Sequence, residues 1–280
     1  MKHQTIPTLQ ELRHMLGCQE KTAQGVCWYE CNTAADKAVL IFHGVTGGKI
    51  DMMPLAERYV SFGYAVYAID LPGHGGSVQP ELQDYQDLGQ WFTHVVAQIG
   101  RTPDVVIGTS FSASVVYYAM STGIISPQTK IILACPTPDT TKLADILQKL
   151  SSKVPEKVGW DAYNLKVAQY IRIAAGLKTQ RRDARQWLRE SETYKKDSLT
   201  LRDSAVLTTL LYNQSPYARH IPQKYQHNIT VIVGGKDNII TSKTLDIMHE
   251  LLPEADFICA PQAGHLLQFE AVESYPDVAH

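Results

Sequence analysis

Short apolar runs rich in β-branched residues alternate with longer stretches of helical periodicity along most of this chain. Runs without an exposed face are typical of strands in a parallel sheet that helices cover on both sides. We predict strands at Ala38–Phe42, Ala65–Ile69, Asp104–Gly108, Lys130–Ala134, Ile229–Val233 and Asp256–Cys259. The predicted fold class is therefore α/β, with a mostly parallel twisted sheet flanked by helices.

One long stretch interrupts this alternation. Residues 139–221 show helical patterning and no convincing strand, and their charged residues are dense between Lys178 and Arg202. We expect an inserted helical cap, or lid, over 139–221, and a core made of residues 1–138 and 222–280. Most of the aromatic side chains of the insertion should pack within the cap, and a minority should line a pocket.

The segment Ile107–Ser114 (IGTSFSAS) follows a predicted strand and precedes a helical run. A serine exposed on a sharp strand-to-helix turn needs small residues two positions before and two positions after it, because the tight backbone leaves no room for larger ones. Gly108 and Ser112 meet that need around Ser110, which we predict to be a nucleophile. Ser112 and Ser114 are the alternative nucleophiles, but Ser112 has no glycine two positions before it.

A serine hydroxyl becomes a good nucleophile only beside a base that a carboxylate orients. His265 follows the last predicted strand, and Asp237 follows the strand before it. Parallel strands bring their carboxyl ends to one edge of the sheet, so both side chains should lie near Ser110. Asp139, which follows the strand before the insertion, is the alternative acid.

Five short motifs are spread over most of the chain: HGVTGG, DLPGHGGS, GTSFS, GGKD and GHLLQFE. Together they resemble the α/β-hydrolase superfamily. The resemblance implies that Ser110 is the nucleophile, Asp237 the triad acid and His265 the base. It also implies an oxyanion hole formed by the backbone N–H groups of Val45 and Phe111. A serine replaces the last glycine of the commoner G-x-S-x-G elbow, and it is small enough to keep the turn.

These features predict a serine hydrolase that cleaves a carboxylic ester, including monoacylglycerol-like substrates, through an acyl-enzyme. A thioesterase and a carbon–carbon bond hydrolase would use the same groups and remain open. From a different class, a hydrolase-fold receptor could bind its ligand under the cap and turn over slowly. Relatives that open epoxides or remove halide carry aspartate at the elbow, so Ser110 argues against those reactions.

Composition indicates which classes of partner and which cellular compartment to expect. The formal net charge of −2 does not indicate nucleic acid or an anionic membrane surface, so a small-molecule acyl substrate is expected. No glycine motif for phosphate and no metal-ligand spacing is present, so neither cofactor nor metal is predicted. The N-terminus lacks the apolar run of a secretory signal, and no stretch would span a bilayer. Scattered cysteines indicate reduced thiols in a cytoplasmic protein: Cys18, Cys27, Cys31, Cys135 and Cys259.

Overall fold

The structure is a computed structural model that describes residues 6–140, 177–198, 201–239 and 242–278. The first half contains, in chain order, α1 (Leu9–Met15), β1 (Gln19–Ala23), β2 (Val26–Cys31), β3 (Ala38–Phe42), α2 (Met53–Ser61), β4 (Ala65–Ile69), α3 (Tyr85–Ile99), β5 (Val105–Thr109), α4 (Phe111–Ser121) and β6 (Lys130–Ala134). The second half contains α5 (Arg182–Ser198), α6 (Leu201–Asn213), α7 (Gln223–Gln226), β7 (Ile229–Gly234), α8 (Ser242–Leu251), β8 (Asp256–Ala260) and α9 (Leu267–Glu270).

The strands form one eight-stranded sheet in the order β1-β2-β4-β3-β5-β6-β7-β8. β2 pairs antiparallel with β1 and β4, and every pairing from β4 to β8 is parallel. Each residue of β3, β4 and β5 is buried, because helices cover both faces of the sheet. The predicted α/β class with a mostly parallel sheet is confirmed.

The hairpin of β1 and β2 is the main feature that the strand prediction missed. β1 (QEKTA) is an exposed, polar edge strand, so it lacks the apolar pattern from which a strand is recognised. β5 also begins one residue later than predicted. Asp104 precedes it, and its carboxylate accepts a hydrogen bond from the N–H of Ala38 at 2.8 Å, which anchors the start of β3.

The hairpin also corrects the prediction of reduced thiols, which is wrong for Cys18 and Cys31. The two residues form a disulfide. Gln19 pairs with Glu30 across the hairpin, so the next positions outward, 18 and 31, come together at its open end. Among the described residues the free cysteines are Cys27, Cys135 and Cys259.

The described part of the predicted cap contains α5 and α6 and no strand. Residues 141–176 lie outside the described part of the chain, so the cap boundaries at 139 and 221 stay a prediction. The N-terminal segment holds α5, because Trp187 donates to the Pro7 carbonyl at 2.9 Å and Glu190 accepts from the Leu9 N–H at 2.7 Å. No helix in the described ranges has the length and apolar character needed to cross a bilayer.

Candidate active site

Ser110 occupies a sharp turn between β5 and α4. Its φ of 55° and ψ of −114° lie in a region that side-chain-bearing residues rarely adopt, which costs on the order of 1–3 kcal/mol. The turn is held by the Ser110 N–H, which donates to the Ala134 carbonyl of β6 at 2.8 Å. A Cβ at Gly108 would lie 2.5 Å from the Ser112 carbonyl oxygen, so only glycine fits there. The backbone therefore holds the Ser110 hydroxyl out from the turn at the carboxyl edge of the sheet.

Ser112 fills the place of the missing elbow glycine with a structural hydroxyl. Its Oγ accepts from the Thr109 N–H at 2.7 Å and lies 2.9 Å from the Phe42 carbonyl at the end of β3. The residue is 1% exposed, as is Ser114, whose hydroxyl bonds that of Tyr217 at 3.2 Å. Both alternative nucleophiles are thus buried and bonded to other groups.

Replacing Ser112 with alanine is expected to lower the free energy of unfolding by about 1–3 kcal/mol, because the Thr109 N–H and the Phe42 carbonyl lose their partner. Reaction at Ser110 should persist, since Ser112 only supports the turn. Urea unfolding and fluorophosphonate labelling measure the two effects. A Ser112→Ala protein that is folded but fails to label would contradict this division of roles.

The structure brings Ser110, His265 and Asp237 into one hydrogen-bonded chain. His265 Nε2 lies 2.9 Å from Ser110 Oγ, and Nδ1 lies 2.7 Å from Asp237 Oδ2. The second carboxylate oxygen of Asp237 accepts from the Ile239 N–H at 2.7 Å. By contrast, Asp139 pairs with the exposed Lys243 at 2.8 Å. The geometry therefore joins His265 to Asp237 rather than to the alternative acid.

Two peptide groups beside Ser110 are held in fixed orientations. The Gly44 carbonyl accepts from His43 Nδ1 at 2.7 Å, which directs the N–H of the same peptide, that of Val45, the opposite way. The Ser110 carbonyl accepts from the Ala113 N–H at 3.0 Å, which likewise directs the N–H of Phe111. Neither N–H has a hydrogen-bond acceptor among the described residues. Donors of this kind can stabilise a developing oxyanion.

A sequence profile described as the alpha/beta hydrolase family matches residues 39–277. This span includes every strand of the parallel part of the sheet, apart from the first residue of β3. The chain belongs to the α/β-hydrolase family.

Solved structures of this hydrolase's fold span several reactions. A putative lipase from Acinetobacter baumannii AYE is 18% identical, with 95% of this chain and 90% of that chain covered and a TM-score of 0.69. An esterase from Exiguobacterium antarcticum is 14% identical, covering 89% and 92%, with a TM-score of 0.65. The haloalkane dehalogenase DatA from Agrobacterium tumefaciens C58 is 11% identical, covering 90% and 91%, with a TM-score of 0.63. These likenesses show the shared fold, and no curated protein sequence matches the chain.

We call residues 43–48 the oxyanion loop, because they include Val45, whose N–H is predicted to be an oxyanion donor. A buried ion pair that sequence analysis missed begins directly after this loop, at Lys49. Lys49 and Asp70 are both 0% exposed, and Nζ of Lys49 binds the Asp70 carboxylate and lies 2.9 Å from Glu20. The same carboxylate accepts from the N–H groups of Lys49 at 2.8 Å and Gly76 at 2.9 Å. Burial alone lowers the pKa of Lys49, but the charge of Asp70 and its hydrogen bond raise that pKa above the ordinary value. The lysine therefore stays charged.

His43 is fully buried in the same loop as a neutral ring. One nitrogen donates to the Gly44 carbonyl and the other accepts from the Leu71 N–H at 2.9 Å. Burial holds the pKa of His43 well below its ordinary value, and the nearby charge of His74 lowers it further. Both ring nitrogens of His74 face carbonyl oxygens, those of Pro72 at 2.8 Å and Val45 at 2.7 Å. The two rings tie the oxyanion loop to the loop after β4.

Stability is expected to fall as the pH drops below about 6.5, because the unfolded chain then protonates His43 while the folded chain does not. Because the pKa of His43 is lower in the folded protein, the free energy of unfolding continues to decrease until the pH reaches that folded-state pKa. Urea unfolding at neutral and mildly acidic pH measures it. His43→Gln should show a smaller acid loss than wild type, whereas the exposed His227→Gln should match wild type. Equal losses in all three proteins would refute the assignment.

Cys135 brings a thiol close to Asp237 and His265. Its sulfur, an Asp237 oxygen and a His265 nitrogen lie within 4.8 Å of one another, a donor set that could bind a thiophilic cation. A cation would have to displace the proton that joins Nδ1 to Oδ2. Burial, followed by the charge of Asp237, raises the pKa of the Cys135 thiol, so the neutral thiol is favoured. The neutral thiol and the proton between Nδ1 and Oδ2 therefore favour hydrogen bonding among these groups over binding of a cation.

Proposed function

We propose that the protein is a serine hydrolase that cleaves a carboxylic ester through an acyl-enzyme, with Ser110 as nucleophile, His265 as base and Asp237 as the orienting acid. The observation that carries the proposal is the chain of contacts from Ser110 Oγ to Nε2 at 2.9 Å and from Nδ1 to Asp237 Oδ2 at 2.7 Å. These atoms are arranged as acyl transfer requires before any substrate binds.

In the proposed acylation step, Nε2 of His265 takes the hydroxyl proton of Ser110 as Oγ attacks the acyl carbon. Asp237 keeps the Nδ1–H tautomer in place and stabilises the imidazolium that forms. The negative charge on the former carbonyl oxygen would meet the N–H groups of Val45 and Phe111. Removal of one such donor costs about 2.7–4 kcal/mol in a measured case, so the fixed peptides carry a large share of the rate.

Collapse of this intermediate releases the alcohol, which takes its proton from His265. Water then enters, His265 removes a proton from it, and the same sequence releases the acid and regenerates Ser110. Solved structures of this fold also include a deformylase and a bromoperoxidase, so the choice of an ester as substrate is tested directly.

A chain-length series of p-nitrophenyl esters, run beside acyl-CoA thioesters, tests the substrate class. We expect turnover of esters at rates well above a Ser110→Ala control, with an optimum that reports the depth of the acyl pocket. Faster turnover of thioesters would move the assignment to a thioesterase. If neither series exceeds the control, the ester hydrolase proposal is wrong, and a receptor that binds its ligand and turns over slowly becomes the better account.

The predicted cytoplasmic location and the disulfide favour different compartments, because most cytosolic proteins keep their thiols reduced. The two compartments can be distinguished by counting the thiols that react with a blocking reagent when the protein is denatured without a reductant. With the disulfide formed, three of the five cysteines should react. Reaction of all five in protein prepared from its native host would favour the cytoplasm.

A further inference from the structure

Glu270 is a buried carboxylate outside the triad that contacts two separate parts of the site. The residue is 3% exposed and ends α9, just after the His265 loop. Its Oε1 accepts from the N–H of Gly264, the residue before His265, at 3.1 Å. Its Oε2 accepts from the N–H groups of Lys178 at 2.8 Å and Thr179 at 2.9 Å. Backbone donors thus occupy both carboxylate oxygens.

On one side, Glu270 fixes the peptide that leads into His265. The Gly264 N–H is held by Oε1, and the Gly264 carbonyl packs so closely on β7 that a Cβ at Gly234 would lie 2.0 Å from it. The neighbouring Ala263 carbonyl accepts from the Lys236 N–H at 2.9 Å, next to Asp237. The position of His265 relative to Asp237 is therefore set by these backbone contacts.

On the other side, Glu270 holds residues 177–181, which we call the strap. The strap leads directly into α5, and its last residue, Arg181, forms an ion pair at 3.0 Å with Glu273, whose side chain is mostly exposed to solvent. α5 lies against the oxyanion loop, since a Cβ at Gly48 would lie 3.2 Å from the Tyr194 ring of α5. One carboxylate therefore joins the histidine loop to the segment that positions the helix over the oxyanion loop.

We propose that Glu270 is a positioning residue for the acyl transfer proposed above: its carboxylate couples the strap to the His265 loop, so that His265 faces Ser110 only while the strap is docked. A carboxylate suits this role because both of its oxygens accept hydrogen bonds. Glutamine has one accepting oxygen, and its NH2 group would face an N–H donor. The inference rests on the proposed function for its kinetic readout, but not for the spectroscopic one.

Glu270→Gln tests the coupling, with Glu273→Gln as the matched control. The control makes the same charge change three residues further along the chain and pairs with the same strap, but its side chain is 67% exposed. We expect Glu270→Gln to lower kcat on a short p-nitrophenyl ester about 10–100-fold at unchanged KM, because a small misplacement of His265 costs that much. The rate of fluorophosphonate labelling should fall by the same factor. Glu273→Gln should stay within about twofold of wild type.

The hydrogen-bonded Nδ1 proton of His265 gives a readout that does not depend on turnover. Its downfield NMR resonance should shift or broaden in Glu270→Gln and stay unchanged in Glu273→Gln. If wild type fails to label but this resonance responds, the proposed function falls and the positioning role stands. If wild type labels and Glu270→Gln matches it in rate and resonance, the inference is overturned.

A second variant covers the case in which Glu270→Gln fails to fold. Thr179→Pro removes one strap N–H that donates to Glu270 and leaves the carboxylate and the histidine loop intact. Residues 177–180 lie in neither helix nor strand, so a proline there interrupts no helix and no strand pairing. We expect the same pattern at smaller size, a several-fold loss of kcat at unchanged KM. Wild-type kcat in folded Thr179→Pro would contradict the coupling.

Discussion

Ser110→Ala is expected to lower kcat for ester hydrolysis by about 10⁶-fold, the loss measured for a comparable triad. In the proposed mechanism Oγ forms the acyl bond, and alanine has no atom that can replace it as the nucleophile. The fold should survive, because alanine keeps the small volume of the elbow and the Ser110 N–H still bonds Ala134. Steady-state rates on the best ester of the series, corrected for contamination by active-site titration, measure the loss.

Two comparisons test whether the loss of rate comes from Ser110, His265 and Asp237 acting together. His265→Ala should lose about as much as Ser110→Ala, and the double variant should lose little more, because members of a triad act as one unit. Asp237→Ala should lose less, on the order of 10⁴-fold, whereas Asp139→Ala should stay near wild type. Additive losses, or a larger loss for Asp139 than for Asp237, would mean that the triad is wrongly assigned.

Lys49→Met is expected to lower the free energy of unfolding by about 3–5 kcal/mol, the largest stability effect that we predict for a single substitution. Methionine matches the length of lysine, so packing changes little, but the buried carboxylate of Asp70 loses its counter-charge. Because the folded pKa of Lys49 is raised, its contribution is present at every pH below the ordinary lysine value. Urea unfolding at neutral pH measures the loss.

Lys21→Met is the matched control for this ion pair. Lys21 is 46% exposed on its side chain and pairs with Glu30 at 3.6 Å, so its removal should cost less than about 1 kcal/mol. Lys49→Met/Asp70→Asn should recover part of the loss, because the unpaired charge is gone. If Lys49→Met is as stable as the Lys21→Met control, the pair does not hold the oxyanion loop as described.

Much of the fold was predictable because local patterns determine it. β3, β4 and β6 begin and end at the predicted residues, since each is a mainly apolar run of five residues. The proximity of Ser110, Asp237 and His265 follows from the same pattern, because each comes just after a strand whose carboxyl end lies at one edge of the sheet. The hydrogen bonds between them depend on side-chain orientations that no local sequence pattern determines.

What sequence analysis missed depends on contacts between distant segments. β1 is polar, so it gave no apolar signal from which its pairing with β2, and hence the Cys18–Cys31 disulfide, could be predicted. Lys49 follows a glycine-rich loop and resembles an exposed lysine until Asp70 is placed against it. Glu270 is part of the GHLLQFE motif, but its partners come from the far end of the insertion, about 90 residues away in sequence.

Trapping with a fluorophosphonate, followed by intact mass and peptide mapping, tests the central claim most directly. The account predicts a single phosphonyl adduct on Ser110 of the wild-type protein, which disappears in Ser110→Ala and forms far more slowly in His265→Ala. An adduct on another residue, or equal labelling rates with and without His265, would contradict it.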